Sequence, residues 1–222
     1  MSRRWWWAAG AAGLVLGWFG GPAVARHLSL FRVRRVEVVG STYLTPREVA
    51  RIAQIPPEAN IFDDREPWRR KVLQVRGVAR VAVRRRIPGA VIFDITEFAP
   101  VAQTQVNGKL ALLDRRGRVL PFDPTRGAAD LPIAEADSAV TGLIDRVEDA
   151  DPELFAAIQW AGRRQGTVVL ETGKHRILFR VGATTKDILG AGAVLAELAK
   201  NRMKVTEVDA RFRGRVIVRG RP

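Results

Sequence analysis

The 222-residue chain has no cysteine, two histidines, two methionines and one tyrosine. Without a thiol there is no disulfide framework, no thiolate nucleophile and no cysteine-based metal site. The lack of cysteine is compatible with an oxidising compartment but does not identify one. His27 abuts an apolar run and His175 lies beside a turn, so both read as solvated surface residues. Neither has a partner for a nucleophile–base pair or a histidine metal site. The close carboxylates Asp63-Asp64 and Asp149-x-Asp151 read as helix-start caps or solvated loops, because helix N-termini favour negative charge. Gly190-Ala191-Gly192 lies inside an apolar helical pattern and follows no strand, so it is not a phosphate loop. No catalytic residue, cofactor, metal or small-molecule substrate is expected.

Aromatic residues are also scarce, at 7%, and four of the six tryptophans fall within the first eighteen residues. The net charge is +14. Residues 32–97 hold 14 Lys/Arg against 8 Asp/Glu, residues 123–153 hold 2 against 9, and residues 200–222 hold 8 against 2. Base-stacking surfaces interleave basic residues with aromatics. Here arginine alternates with valine, as on the solvent face of a strand, so no nucleic-acid partner is expected.

One apolar run is long. Residues 5–24 carry no charge, and twenty residues at about 1.5 Å each span a hydrocarbon core of roughly 30 Å. Trp5, Trp6 and Trp7 suit an interfacial anchor. Ala9, Gly13, Gly17 and Gly21 recur every four residues as a small-residue stripe that would let another helix approach. Two readings stand: a retained transmembrane anchor, favoured by the length and the tryptophan start, or a secretory leader cleaved after Ala25. Arg3 and Arg4 precede the run and Arg26, Arg32, Arg34 and Arg35 follow it. Charge counting therefore leans toward a cytoplasmic C-terminal side.

The body of the chain reads as strand, helix, helix, strand, strand over residues 31–97. Phe31–Val39 alternates and ends at Gly40, with Val36 and Val38 on the apolar face. Thr45-Pro46-Arg47-Glu48 is a capping box with proline at the first helical position, starting a helix to Gln54. A second helix over 65–75 carries Trp68, Val72 and Val75. Strands over 78–86 and 90–97 flank a Pro88-Gly89 turn. Further on come a hairpin around Asp114-Arg115-Arg116-Gly117 and a loop over 123–137. A helix over 152–164 presents Phe155, Ile158 and Trp160, and strands over 167–171 and 175–181 follow. A helix over 185–203 has Ile188, Leu189, Leu195 and Leu198 inward. Strands over 205–212 and 215–219 close the chain.

Phe31-x-Val33-x-x-Val36-x-Val38-x-Gly40, Leu44-Thr45-x-x-Glu48-Val49, Asn60-Ile61-Phe62, Val78-Ala79-x-Val81-x-Val83, Ile87-Pro88 and Glu97-x-x-Pro100-Val101-Ala102 occur in order. This ordered set resembles the FtsQ-type POTRA domain of the FtsQ/DivIB family of bacterial cell division proteins. Phe98 stands where that family usually has Arg or Lys. The Asp-x-x-Gly hairpin, Leu131-Pro132 and Val205–Phe212 also resemble the family's second domain. The resemblance implies an α+β fold. Its parts are a cytoplasmic tail (1–4), a transmembrane anchor (5–25), a juxtamembrane linker (26–31), a POTRA domain (32–97) and a β-rich domain (98–222). It also implies a single-pass protein of the cytoplasmic membrane at the division site, with its folded domains outside, against the charge count. Its partners would be other membrane proteins of the division apparatus, of the FtsB and FtsL type. Binding by strand addition at an unpaired edge would use Arg211, Phe212, Arg213, Gly214, Arg215, Val216, Ile217 and Val218. The rivals are a POTRA-bearing polypeptide-transport component and a secreted binding module. A membrane β-barrel's regular ten-residue alternating strands are missing after residue 97.

Overall fold

Thr45, Pro46 and Glu48 start the first helix as their order dictates. Thr45 Oγ1 accepts from the Glu48 N–H at 3.3 Å, and the Glu48 carboxylate accepts from the Thr45 N–H at 2.8 Å. Helix α1 (Pro46–Ala53) buries Val49 and Ala53, and α2 (Glu66–Leu73) buries Trp68 and Val72. Both pack on a three-stranded sheet of order β1-β3-β2, formed by β1 (Arg35–Val39), β2 (Val78–Arg86) and β3 (Ala90–Glu97). Central β3 runs parallel to β1 and antiparallel to β2. Flanked by β1 and β2, it buries Ala90–Phe93 and Ile95, while Thr96 on the face away from the helices is exposed. Val91, Phe93 and Ile95 meet the helices with Val81, and Val36, Val38 and Val83 pack around them. Each such side chain, fully buried, contributes about 1.5–3 kcal/mol. Val78 and Val81 both point inward because the register shifts between Val78 and Arg80.

The computed structural model describes residues 29–127 and 130–220. The tail (1–4), the anchor (5–25), the stripe Ala9, Gly13, Gly17 and Gly21, and linker residues 26–28 lie outside the described residues. Among the described residues no helix is long and apolar enough to cross a membrane. The chain divides into two units, residues 1–97 and 98–222. In the first, β2 and β3 take the bounds expected of them, but β1 starts later than Phe31. Phe31 sits in a 3-10 turn (Ser29–Phe31), its ring edge-on to Phe62 at 5.2 Å. The Val33 N–H donates to Ala59 O and the Ile61 N–H to Phe31 O, so this segment pairs with the 59–61 loop before it joins the sheet. Gly40 then turns the chain at φ 76°, where a Cβ would stand 2.7 Å from Ile95 O. Only glycine fits both conditions.

The second unit is built on a nine-stranded sheet of order β12-β11-β10-β9-β8-β7-β4-β5-β6. In chain order its strands are β4 (Pro100–Val106), β5 (Lys109–Asp114), β6 (Val119–Leu120), β7 (Ile133–Ala134), β8 (Ile158–Arg164), β9 (Thr167–Thr172), β10 (Arg176–Arg180), β11 (Val205–Asp209) and β12 (Ile217–Gly220). Helices α3 (Ser138–Ala150), α4 (Pro152–Ala157) and α5 (Thr185–Lys200) complete it. Leu143, Ile144 and Val147 of α3 and Ile188 and Ala191 of α5 share one core with Leu170, Ile177, Phe179 and Val208 of the sheet. In the β5–β6 hairpin, buried Asp114 accepts from the N–H groups of Arg116 and Arg118 at 2.9 Å and from Arg118 Nε at 2.8 Å. Burial pushes its carboxyl up, but these hydrogen bonds outweigh burial and hold it below the usual range.

Four sequence expectations are corrected by the structure. The helix expected over 152–164 stops at Ala157, and Ile158–Arg164 is β8, paired with both β7 and β9. No element is expected between residues 137 and 152, yet α3 occupies 138–150, capped by Asp137, whose carboxylate accepts from the Ala139 N–H at 2.7 Å. Leu189 does not face inward: it is 51% exposed, while Ile188 and Ala191, the helix's buried positions beside it, take the core side. His175 is half-buried rather than solvated, its Nδ1 2.9 Å from Val205 O.

Candidate partner-binding edge

Among the described residues, strand β12 forms one border of the nine-stranded sheet and pairs with β11 alone. Its register sets Asp209 opposite Ile217, Val208 opposite Val218 and Glu207 opposite Arg219. The Ala210 N–H donates to Leu178 O of β10 at 2.8 Å. Backbone polar groups alternate in direction along a strand. The groups of Val208 therefore face β10, and those of Glu207 and Asp209 face β12. Across from Val208, Val218 turns its own N–H and C=O outward, away from β11. Ile217 and Val218 are 42% and 40% exposed. At the other border, β6 is a strand of two residues.

The eight residues expected at the edge do not form one strand. Arg211–Val216 connects β11 to β12, and only Ile217 and Val218 lie on the edge strand. The physical reason is the buried Asp209. Its carboxylate accepts from Arg211 Nε at 2.9 Å and Nη2 at 2.7 Å, while Arg219 Nη2 stands 3.6 Å away. A charge at that depth needs such partners, and satisfying it folds Arg211 back across the strand end. The Arg211 hydrogen bonds, outweighing burial, hold the Asp209 carboxyl below its ordinary value. Arg213 and Gly214 then make a turn, with Gly214 at φ 70°, and the Arg215 N–H donates to Phe212 O at 3.1 Å. Val216 is half-buried against the core. Beside this connection lies a groove of about 510 Å³, lined by Leu189, Gly190, Val194, Phe212 and Val216 among others. Leu189 and Phe212 are each about half exposed.

The sequence points to the right end of the chain but not to this groove, whose α5 wall comes from residues some twenty positions earlier. The local signal for it is Leu189, an apolar residue one step off the helix's buried stripe. Among the described residues, no group of three or more His, Asp or Glu is placed to hold a metal ion. Three of the four carboxylates singled out in the sequence serve the fold, and Asp149 is exposed on α3. Asp151 caps α4 through the Leu154 N–H at 3.0 Å, Asp64 accepts from the Glu66 N–H at 3.0 Å, and Asp63 accepts from the Asn60 N–H at 2.7 Å. Gly192 stands where a side chain would strike the Asp151 carboxylate.

Residues 31–98 match the family model described as POTRA domain, FtsQ-type. The cell division protein FtsQ of Zymomonas mobilis is 28% identical over 150 residues, which are 65% of this chain and 48% of that protein. The chain thus spans about half the length of the curated relative it matches. The solved major extracytoplasmic domain of the division protein DivIB from Geobacillus stearothermophilus is similar at 13% identity and a TM-score of 0.34. That likeness covers 48% of this chain and 98% of that one. The family model and the curated relative make the chain similar to the FtsQ/DivIB family of bacterial cell division proteins, the likeness being to its FtsQ-type POTRA domain over residues 31–98.

Proposed function

We propose that this protein is a membrane-anchored scaffold of the bacterial division apparatus that binds other division proteins, of the FtsB and FtsL type, by strand addition at β12. One observation carries the reading: in a chain similar to this family, Val218 turns an N–H and C=O that find no strand partner among the described residues outward at the border of the large sheet. An extended partner segment gains main-chain hydrogen bonds there, and the groove beside Phe212 and Leu189 accepts apolar side chains. The protein acts by binding and not by catalysis. Residues 5–25 anchor it in the cytoplasmic membrane, with residues 26–222 outside. A reporter active only outside the cytoplasm, fused after Pro222, tests the topology. Activity of a cytoplasm-only reporter at that position contradicts it. Depletion in the native cell tests the role: septum-free filaments are expected, and cells of normal length contradict it.

A further inference from the structure

The two ends of the three-stranded sheet differ in their charge. β2 ends in Arg84-Arg85-Arg86, and its register places Arg86 opposite Ala90, the first residue of β3, with Arg35 of β1 opposite Ala90 on the other side. The N–H groups of Arg34 and Arg35 both donate to Gly89 O in the β2–β3 turn, and Arg32 bridges to Asn60. Arg32, Arg34, Arg35, Arg84, Arg85 and Arg86 are thereby gathered at the end where the chain enters the unit. Glu37 pairs with Arg86 at 2.8 Å and Asp94 with Arg84 at 3.1 Å, leaving an excess of positive charge. Arg85 lies over the Phe62 ring at 5.0 Å, and Arg34 reaches Ser29 O at 3.3 Å.

An independent feature marks the same end. Ile87, at the tip of the β2–β3 turn, is 65% exposed, the most exposed large apolar side chain among the described residues. Leu30, in the entering turn, is 53% exposed. Aliphatic side chains standing out of a ring of arginines have the chemistry of a surface that rests in a bilayer interface. Chain geometry puts a membrane within reach. Arg32 is seven residues beyond Ala25, so full extension leaves it at most about 25 Å from the end of the apolar run.

We propose that this end of the POTRA unit is a docking surface for anionic phospholipid, with the arginines on the headgroups and Ile87 and Leu30 in the interface. It holds the unit down on the membrane instead of leaving it free on its linker. This rests on the reading of residues 5–25 as an anchor, so the test separates the two. The full chain lacks cysteine, and Ile87→Cys gives one labelling site for a polarity-sensitive fluorophore. The labelled protein is placed in phosphatidylcholine nanodiscs with or without phosphatidylglycerol, and quenching by a lipid-borne nitroxide is read.

Strong quenching is expected in the phosphatidylglycerol discs and weak quenching in the neutral ones. It should be lost in ~1 M salt, where the screening length is about 3 Å. Co-elution of the chain with the discs in the same salt reports the anchor separately, because an inserted apolar run resists salt. Each arginine at an anionic surface strengthens association by roughly fivefold, so replacing Arg35, Arg84 and Arg86 with Gln should weaken it about a hundredfold. The salt series on the otherwise native chain probes the same electrostatic contact without those replacements. Equal quenching in neutral and anionic discs overturns the proposal. So does a salt-sensitive response to added duplex DNA with none to phosphatidylglycerol.

Discussion

Glu97, the last residue of β3, holds Leu44: its carboxylate accepts the Leu44 N–H at 3.1 Å, together with the Thr42 N–H at 2.8 Å and the Ser41 hydroxyl at 2.6 Å. One side chain therefore fixes the turn that feeds α1, which explains a glutamate at this place in the sequence pattern. Its charge, with burial as the larger cause, also raises the Tyr43 hydroxyl above its ordinary value. Glu97→Ala leaves these donors without their acceptor. Hydrogen bonds to charged groups contribute about 1.5–3 kcal/mol each when buried, and water restores part of that in a half-exposed turn. A net loss of about 2 kcal/mol is expected, lowering the first unit's thermal midpoint by on the order of 10 °C. Calorimetry measures this, and amide exchange at residues 42–44 should accelerate in parallel.

Val81→Asp tests the register of β2. Val81 is 4% exposed and packs in the core of the first unit with Phe93 and Ile95. An unpaired carboxylate there costs several kcal/mol, comparable with the stability of a small domain. The first unit's transition should disappear while that of residues 98–222 persists. An unchanged thermal midpoint would mean that Val81 faces solvent.

How far the sequence carries depends on whether pairing or pattern decides the structure. The β2 and β3 bounds follow from alternation and a Pro-Gly turn, and α1 follows from a capping box, all local signals. Helix α3 is equally legible, since Val140, Leu143, Ile144 and Val147 recur at helical spacing behind the cap Asp137. Ile158–Arg164 is not. Phe155 and Ile158 sit three apart after a proline-started turn, and only pairing with β7 and β9 makes the second half a strand. The two-residue β6 is legible as the second arm of the Asp114-x-x-Gly117 hairpin, whereas the two-residue β7 lies in a stretch that reads as a loop and is made a strand only by its pairing with β4 and β8. Alternation alone carries one strand on to Phe212 and starts the next at Arg215, but the Arg211 contact with buried Asp209 ends β11 at Asp209, and β12 starts at Ile217.

Asp209 should make the second unit acid-sensitive. Its folded-state proton affinity lies below that of the unfolded chain, because Arg211 stabilises the carboxylate. Its contribution is thus fully present above the unfolded value of about 3.9 and is lost as pH falls through the lower folded value. Asp114, Asp137 and Asp187 have the same sign. Asp209→Asn should lower stability at neutral pH and flatten, but not abolish, its decline below about pH 4. Denaturant unfolding across that range measures both effects.

Strand addition at β12 is tested most directly by Val218→Pro in the full chain, with partner binding and circular dichroism measured on the same sample. The Val218 N–H faces away from β11, so proline there removes an outward donor while sparing the β11–β12 bonds. Val216→Pro, by contrast, disturbs a residue packed on the core. Pull-down or titration with division proteins of the FtsB and FtsL type should show at least about tenfold weaker binding, since each 1.4 kcal/mol lost is a factor of ten. The dichroism spectrum should match the parent's. Undiminished binding by a folded Val218→Pro protein would contradict strand addition at β12 and place the partner surface elsewhere.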